Sequence, residues 1–221
     1  MNKNLKIAPS LFAADFLNLE SAVKTFENAG VDYIHYDIMD NHFVPNLSFG
    51  AKLVEDICKK TRVPSDVHLM IDLDKLHSLS HFLELPVEHI TIHLEATQNY
   101  LVEFIKQIKS SGKTAGISIK PGTPIESIIP YIDYIDLVLL MSVEPGFSGQ
   151  KFISGTLKKI GRLKYLLGKR PVSIQIDGGI GRENYISALQ EGADFLVMGS
   201  AFYKDRDTIG LVKAIHTFQA K

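Results

Sequence analysis

Eight short apolar segments recur along the whole chain of 221 residues, and this feature constrains the fold more than any other. They are rich in Ile and Val and lie at positions 5–8, 33–38, 67–70, 89–93, 114–119, 135–141, 172–176 and 195–198. Segments of this length that are apolar on both faces are typical of strands in a parallel sheet covered on both sides. We therefore predict eight strands in a parallel sheet.

Helical patterns separate the predicted strands. Apolar residues recur every three or four positions before Gly30, Gly112, Gly168 and Gly192, and Gly is the favoured residue just beyond the end of a helix. Eight strand–helix units of roughly 27 residues each are close to the minimum for a (β/α)8 barrel. The rival architecture, a doubly wound open sheet, often has a Gly-rich first strand–helix turn, and residues 8–12 contain no Gly. The sequence predicts a single α/β domain over residues 1–221 with the barrel architecture.

Composition indicates which kinds of partner the protein can bind and in which cell compartment we expect it. A net charge of -1 provides no basic field for nucleic acid or an anionic membrane, so we expect neither as a partner. No apolar stretch approaches the roughly 20 residues of a membrane span. Cys58 is the only cysteine, so no intramolecular disulfide can form. Together with the absence of a recognisable secretory signal, this favours a cytoplasmic protein.

Two His and two Asp residues occupy the ends of apolar strands, where the active sites of (β/α)8 barrels lie. His35 and Asp37 are two residues apart and therefore share one face of the second strand. His68 lies within the third strand, and Asp177 ends the seventh. Any one of them alone is as readily explained by packing or capping. Four together suit a divalent transition metal, with Zn or Fe(II) favoured and Mn or Co as further candidates.

Glycine-rich loops follow the last three predicted strands and indicate a phosphate site. Glycine lets backbone N–H groups approach an anion closely, and the loops after strands seven and eight are a common phosphate site in these barrels. The candidate phosphate-binding residues are Gly146, Phe147, Ser148, Gly149, Gly178, Gly179, Gly199 and Ser200. Three of the five methionines lie at or beside strand ends and are expected either to pack in the core or to line the site: Met39, Met70 and Met141.

Further polar residues near the same strand ends are interpreted as supports. Asp66 shares a face with His68, and we expect it to orient that imidazole. His93 and Glu95 share a face at the fourth strand end and are expected to form a hydrogen-bonded support. Asp40 lies beyond the second strand and is expected to brace the following loop.

These motifs resemble the ribulose-phosphate 3-epimerase family from one end of the chain to the other. The matching segments are 8–11 (APSL), 14–16 (ADF), 35–40 (HYDIMD), 43–46 (FVPN), 66–70 (DVHLM), 121–124 (PGTP), 141–143 (MSV), 145–147 (PGF), 177–180 (DGGI) and 199–200 (GS). The whole series is far more specific than any one motif.

The resemblance implies a TIM barrel that interconverts ribulose 5-phosphate and xylulose 5-phosphate by inverting C3. It implies one divalent metal ion bound by His35, Asp37, His68 and Asp177, with Asp37 and Asp177 also acting as the acid/base pair. Such inversion needs a proton removed from one face and delivered to the other, which two carboxyl groups can perform. Ser10 and His68 would contact the sugar phosphate, beside the three methionines. We also expect a homo-oligomer.

Three residues depart from the pattern of the family. Asn41 and Ser148 each stand where Gly is usual, and Glu144 replaces a usual Asn. Asn tolerates positive φ better than most residues, so we expect the turn at Asn41 to be retained. Ser148 can still offer its backbone N–H to a phosphate. We expect Glu144 to face solvent, because a carboxylate aimed at the phosphate would repel it.

Three alternatives remain open at this point. The first is a 3-epimerase of a hexulose phosphate such as D-allulose 6-phosphate, which needs the same chemistry on a longer substrate. The second is a phosphate-binding barrel lyase or decarboxylase, for which Lys120 is the one candidate strand-end lysine. The third is a non-catalytic sugar-phosphate binding barrel, which has no need for two acidic groups at a metal.

Overall fold

All eight predicted strands are confirmed and are parallel, with ends that differ from the predicted ones by no more than two residues. The computed structural model describes residues 5–97 and 99–219. The strands are β1 (Lys6–Pro9), β2 (Ile34–Met39), β3 (Ser65–Met70), β4 (His89–His93), β5 (Thr114–Ile119), β6 (Leu137–Met141), β7 (Ser173–Asp177) and β8 (Phe195–Met198).

The sheet follows chain order and returns to its starting strand. Its strand order is β1-β8-β7-β6-β5-β4-β3-β2, so the first strand pairs with the last. Between β1 and β2 the seam is made by one parallel bridge from Ser10 to His35 and by backbone amides of Asp32 and Tyr33 that donate to the carbonyl of Ile7. This nearly closed sheet confirms the predicted (β/α)8 barrel.

Helices cover the outside of the sheet. They are α1 (Leu19–Ala29), α2 (Ala51–Cys58), α3 (Ser80–Leu83), α4 (Leu101–Ser110), α5 (Gly155–Leu167), α6 (Tyr185–Glu191), α7 (Ser200–Lys204) and α8 (Thr208–His216). The connection from β5 to β6 is instead a 3-10 helix, Ile125–Tyr134, which contains Pro130. Proline lacks an N–H and clashes with the preceding turn of an α-helix, which accounts for the difference. No helix in the described part of the chain is long and apolar enough to cross a membrane.

Two turn predictions concern residues with positive φ. Gly30 directly follows helix α1 with a φ of 70°, and Gly192 directly follows α6 with a φ of 119°. Asn41 has a φ of 59° and is the one non-glycine residue with positive φ among the described residues. The expectation that Asn41 preserves the turn after β2 is confirmed.

Apolar side chains fill the N-terminal end of the barrel. The Phe195 ring lies 5.1 Å from that of Tyr33 and 6.0 Å from that of His89, measured between centroids. Leu137 and Leu139 pack in the same cluster and are buried. This layer occupies the N-terminal end of the barrel, and the polar side chains predicted at the C-terminal ends of the strands lie beyond it.

Candidate active site

Four metal-ligand candidates predicted from the sequence meet inside the C-terminal end of the barrel. His35 and Asp37 point inward together from β2, and the register of the sheet places Asp37 opposite His68 of β3. Asp177 reaches the same point from the end of β7, where its carbonyl accepts from the Ser142 amide at 2.7 Å. One ligand atom from each of the four residues lies within 4.8 Å of every other.

Asp37 is the centre of this cluster. Its Oδ1 lies 3.3 Å from His35 Nε2 and 3.4 Å from His68 Nδ1. Its Oδ2 accepts a hydrogen bond from the Ser10 hydroxyl at 2.5 Å. Ser10, His35, Asp37 and His68 are all buried. Ser10 is thus held beside a catalytic candidate by the seam of the barrel.

The two carboxyl groups of the cluster have pKa values shifted in opposite directions. Desolvation alone would raise the pKa of Asp37, but the adjacent His35 and His68 outweigh it and hold that pKa well below its usual range. Desolvation and then the negative charge of Asp37 raise the pKa of Asp177 to about 7. One carboxyl group is therefore ionised at neutral pH while the other is poised to hold a proton, as expected for two acids that share one site.

The donor set fits a divalent metal ion. His35 Nε2 is buried and makes no hydrogen bond, although buried polar atoms in proteins nearly always have a partner. It faces the Asp37 carboxylate, so a cation between them would satisfy both groups. Two imidazole nitrogens and two carboxylates are ligands that Zn and Fe(II) accept.

Asp66 supports a different histidine from the one predicted. Its Oδ2 lies 2.8 Å from His35 Nδ1 and accepts a hydrogen bond from Gln175 Nε2 at 2.5 Å. We expected Asp66 to orient His68, and that interpretation is wrong, because the register of β2 against β3 places Asp66 directly opposite His35. A carboxylate on Nδ1 fixes that nitrogen as the protonated one and leaves Nε2 of His35 free to bind a metal.

Other predicted supports are in place. Asp40 accepts hydrogen bonds from the backbone amides of His42, Phe43 and Asp72 at 2.7–3.0 Å, so it braces the loop after β2. His93 Nδ1 lies 3.1 Å from Glu95 Oε2, which confirms the predicted hydrogen-bonded pair.

A cavity of about 580 Å³ opens above the cluster at the C-terminal end of the strands. Asp37, Asp177 and Ser10 line it, and so do the three methionines predicted near the site, Met39, Met70 and Met141. The methionines are buried, and Met39 and Met70 pack against Val44. His35 and His68 are fully buried and do not line the cavity, so substrate contact by His68 stays a prediction.

All the predicted glycine-loop residues line the same cavity. They are Gly146, Phe147, Ser148, Gly149, Gly178, Gly179, Gly199 and Ser200. Gly179 has a φ of 63°, and a Cβ there would lie 2.7 Å from the Phe152 backbone nitrogen. A side chain at that position would therefore disturb the loop that faces the cavity.

Positive charge near these loops was missed by the sequence prediction. Lys151, Arg182 and Lys204 line the cavity, and Arg182 is held by Asp205 through Nε at 2.5 Å and a terminal nitrogen at 3.0 Å. Arg182 directly follows Gly181 in sequence, and this position beside a glycine-rich loop could have indicated a residue near the phosphate. Glu144 is exposed, as expected, and is also among the residues that line this cavity.

Several named proteins match this chain over most of its length, and they are ribulose-phosphate 3-epimerases. The model of the ribulose-phosphate 3 epimerase family matches residues 6–203. A ribulose-phosphate 3-epimerase of Bacillus subtilis is 41% identical over 206 residues, covering 92% of this chain and 94% of the relative. One of Mycobacterium tuberculosis is 40% identical, covering 95% and 90%. The chloroplastic ribulose-5-phosphate-3-epimerase of Arabidopsis thaliana is 38% identical, covering 95% and 75%.

Solved structures with lower identity share the fold. A tryptophan synthase alpha-subunit from Pyrococcus furiosus superposes with a TM-score of 0.68 at 18% identity, covering 96% of both chains. At that identity the similarity concerns the barrel alone. The family match over most of the chain and the close relatives from bacteria and a plant are more specific, and from them it follows that this chain belongs to the ribulose-phosphate 3-epimerase family.

Proposed function

We propose that the protein catalyses the interconversion of D-ribulose 5-phosphate and D-xylulose 5-phosphate by inverting C3, a step of the pentose phosphate pathway. The observation that carries the proposal is the pair of aspartates that line one cavity with opposite pKa shifts. Family membership and the names of the relatives support the choice of substrate.

The two aspartates supply the proton transfers. In one direction the ionised Asp37 removes the C3 proton from one face of the sugar, and the protonated Asp177 delivers its proton to the opposite face. In the reverse direction the roles exchange, because the first turnover leaves Asp37 protonated and Asp177 ionised. In the site without a metal, burial and the Asp37 charge move the pKa of Asp177 toward neutral pH, the range in which a general acid or base is most efficient.

His35, Asp37, His68 and Asp177 would hold one divalent metal ion, which we propose to be Zn or Fe(II). A bound cation would stabilise the negative charge that develops on the substrate oxygens when the C3 proton leaves. Ser10 donates to Asp37 Oδ2 and so leaves Oδ1 directed toward the two histidines. Met39, Met70 and Met141 provide a wall without strong hydrogen-bonding groups, which keeps water from competing for the reacting carbon.

The glycine loops would bind the phosphate and orient the sugar. Gly179 and Gly199 line the cavity, so their backbone amides are candidates to bind the phosphate, and Arg182 and Lys204 add positive charge near them. Anchoring the phosphate at one end fixes the distance to the reacting carbon at the other, which lowers the entropic part of the barrier. A non-catalytic binding barrel would bind the phosphate in the same way, so the acid/base pair is the feature that distinguishes an enzyme from it.

The test is C3 epimerisation of D-ribulose 5-phosphate, together with deuterium uptake at C3 from D₂O. We expect Asp37→Asn and Asp177→Asn each to lower kcat by about 10²–10⁴-fold, since each removes one proton-transfer group. Asp133→Asn, an exposed carboxyl paired with Arg170 on the outer surface, is the matched control and should be fully active. A metal-replete Asp37 or Asp177 variant with normal turnover would exclude the two-aspartate mechanism.

Chelation and substrate comparison complete the test. Exhaustive chelation should remove activity, and added Zn or Fe(II) should restore it; full activity in a metal-free preparation would exclude the metal. A higher kcat/KM for D-allulose 6-phosphate than for D-ribulose 5-phosphate would identify the hexulose phosphate as the substrate. The absence of deuterium uptake with either substrate would leave the two alternatives without epimerisation, the barrel lyase or decarboxylase and the binding barrel.

We further propose that the whole chain, residues 1–221, works as one cytoplasmic domain in a homo-oligomer. Support for association comes from an apolar patch in which Leu17 is 93% and Phe16 45% exposed. Support for a reducing compartment is the single cysteine, Cys58. Light scattering during size-exclusion chromatography tests the oligomer, and a monomer at micromolar concentration would contradict it.

A further inference from the structure

A chain of three side chains leads away from the predicted metal site into the wall of the barrel. His68 Nε2 lies 3.0 Å from His93 Nε2, and His93 Nδ1 lies 3.1 Å from Glu95 Oε2. The imidazoles of His68 and His93 are stacked with centroids 4.9 Å apart, and neither ring is exposed. On its other side, His68 presents Nδ1 to Asp37 Oδ1 at 3.4 Å.

The hydrogen-bonding capacity of each group fixes where the protons lie. Glu95 as a carboxylate can only accept, so His93 Nδ1 must donate to it. A neutral imidazole has one N–H, and His93 Nε2 is therefore an acceptor. The 3.0 Å contact between the two Nε2 atoms then requires His68 Nε2 to carry the proton. This leaves the lone pair of His68 on Nδ1. That nitrogen lies 3.4 Å from Asp37 Oδ1, which is longer than the roughly 2.7–3.2 Å of a good N–H···O hydrogen bond and does not require a proton on Nδ1.

We propose that Glu95 is a positioning residue that, through His93, holds His68 in the tautomer whose Nδ1 can bind the metal. The inference rests on the metal site of the proposed function. It assigns different ring nitrogens to the two histidine ligands, Nδ1 for His68 and Nε2 for His35. The other nitrogen of His35, Nδ1, contacts the Asp66 carboxylate directly. Carboxylates behind metal-bound histidines commonly fix the tautomer in this way. Here the Glu95 carboxylate acts through the intervening imidazole of His93.

Glu95 is itself held in place by the loop after β5. Its Oε1 accepts hydrogen bonds from the Lys120 amide at 2.8 Å and from the Thr123 hydroxyl. That loop is anchored by the Lys159 ammonium, which donates to the carbonyls of Lys120, Pro121 and Thr123 at 2.6–3.2 Å. With Oε1 occupied by the loop, Oε2 is directed to His93, so the orientation of the carboxylate is built into the fold.

The Phe43 ring closes the other side of this chain. Its centroid lies 4.7 Å from that of His93, and the Lys120 ammonium lies over the Phe43 ring, 4.1 Å from its centroid. Both imidazoles are buried, and the Glu95 carboxylate is the group that contacts Nδ1 of His93. The position of the proton on His68 therefore follows from Glu95 through His93.

The first test measures the tautomer directly. In chelated protein labelled with ¹⁵N at histidine, the protonated and unprotonated ring nitrogens of a neutral imidazole resonate far apart. We expect His68 to carry its proton on Nε2 and His93 to carry its proton on Nδ1. A proton on Nδ1 of His68 would overturn the proposal. This measurement needs no metal and no substrate.

The second test uses the Glu95→Gln variant. If its Oε1 stays with Lys120 and Thr123, the amide nitrogen faces His93, which must then carry its proton on Nε2 and donate it to His68. We therefore expect the His68 proton to move to Nδ1. The dissociation constant for Zn²⁺, measured by competition with a chelator, should rise by about 10–100-fold, as for other groups behind metal-bound histidines.

Thr123→Val is the matched control, because it removes a hydrogen bond to the same carboxylate but on Oε1. We expect its Zn²⁺ affinity to stay within about twofold of the wild type, by comparison with the change for Glu95→Gln. Equal affinity in Glu95→Gln and wild type would overturn the proposal. If Glu95→Gln does not fold, the ¹⁵N measurement of the His68 tautomer in the wild type decides whether the proposal holds. If the wild type binds no Zn²⁺ or Fe(II), the proposed metal fails, whereas the tautomer measurement still decides the role of Glu95.

Discussion

Without a metal, the Asp177 carboxyl group should destabilise the folded protein at neutral and alkaline pH. Its pKa is about 7 in the folded state, chiefly because of desolvation and then of the nearby Asp37 charge. In the unfolded chain an aspartate ionises near pH 4. Between these values the folded protein retains a proton that the unfolded chain has released, so the free energy of unfolding falls as pH rises from about 4 to about 7.

The size of this effect follows from the two pKa values. Their difference corresponds to at most about 4 kcal/mol above pH 7. Asp177 is only partly buried and lines the cavity, so solvent screens part of the interaction, and we expect about 2 kcal/mol. Asp177→Asn removes the ionisable group while keeping its shape. Chelated Asp177→Asn should thus be about 2 kcal/mol more stable than chelated wild type at pH 8.

Urea unfolding of both chelated proteins from pH 4 to pH 8 provides the measurement. At pH 4 the carboxyl group is protonated in the folded wild type, so the two proteins should have nearly equal stability there. The gain from the substitution should appear between pH 4 and pH 7. Saturating Zn²⁺ should reverse the order, because the wild type then gains a ligand that the variant lacks. A variant that is less stable than chelated wild type at pH 8, or a difference that does not vary with pH, would refute the reasoning.

Two further substitutions test the loops around the cavity. Gly179→Ala places a Cβ where the Phe152 backbone nitrogen is 2.7 Å away, at a φ of 63°, so we expect KM for the sugar phosphate to rise by about 10-fold or more, from strain of about 1–3 kcal/mol. Steady-state kinetics measure it, and an unchanged KM would contradict a role of this loop in phosphate binding. Lys159→Met leaves the carbonyls of Lys120, Pro121 and Thr123 without their donor, and should lower the free energy of unfolding by about 1–3 kcal/mol. Urea unfolding measures this loss, and wild-type stability would show that water replaces the ammonium.

The ligand cluster could be predicted because it depends on strand position and alternation alone. His35 and Asp37 share a face whatever the neighbouring strand is, and His68 and Asp177 lie near strand ends in any barrel with these eight strands. These inferences need only the order of elements along the chain. The structure accordingly places all four within 4.8 Å of one another.

The partner of Asp66 could not be predicted, because it depends on the register between two strands. Residues on one face of β3 suggested His68 as the partner, but β2 pairs with β3 so that Asp66 lies opposite His35. A shift of one residue in the register would change every such pair, and a single sequence does not contain that information. The link from His68 to His93 likewise crosses from β3 to β4 and is visible only in three dimensions.

The pairing of β1 with β8 has a consequence for synthesis on the ribosome. Ser10, which donates to Asp37, is itself placed by its backbone amide, which donates to the carbonyl of Met198 at 2.9 Å. That carbonyl belongs to the last strand of the barrel, β8, so a nascent chain lacks the bond that positions Ser10 until β8 has been synthesised. Contacts between residues this distant in sequence form late, because closing the long loop is entropically costly. A partly translated chain therefore holds the ligand residues without an assembled active site.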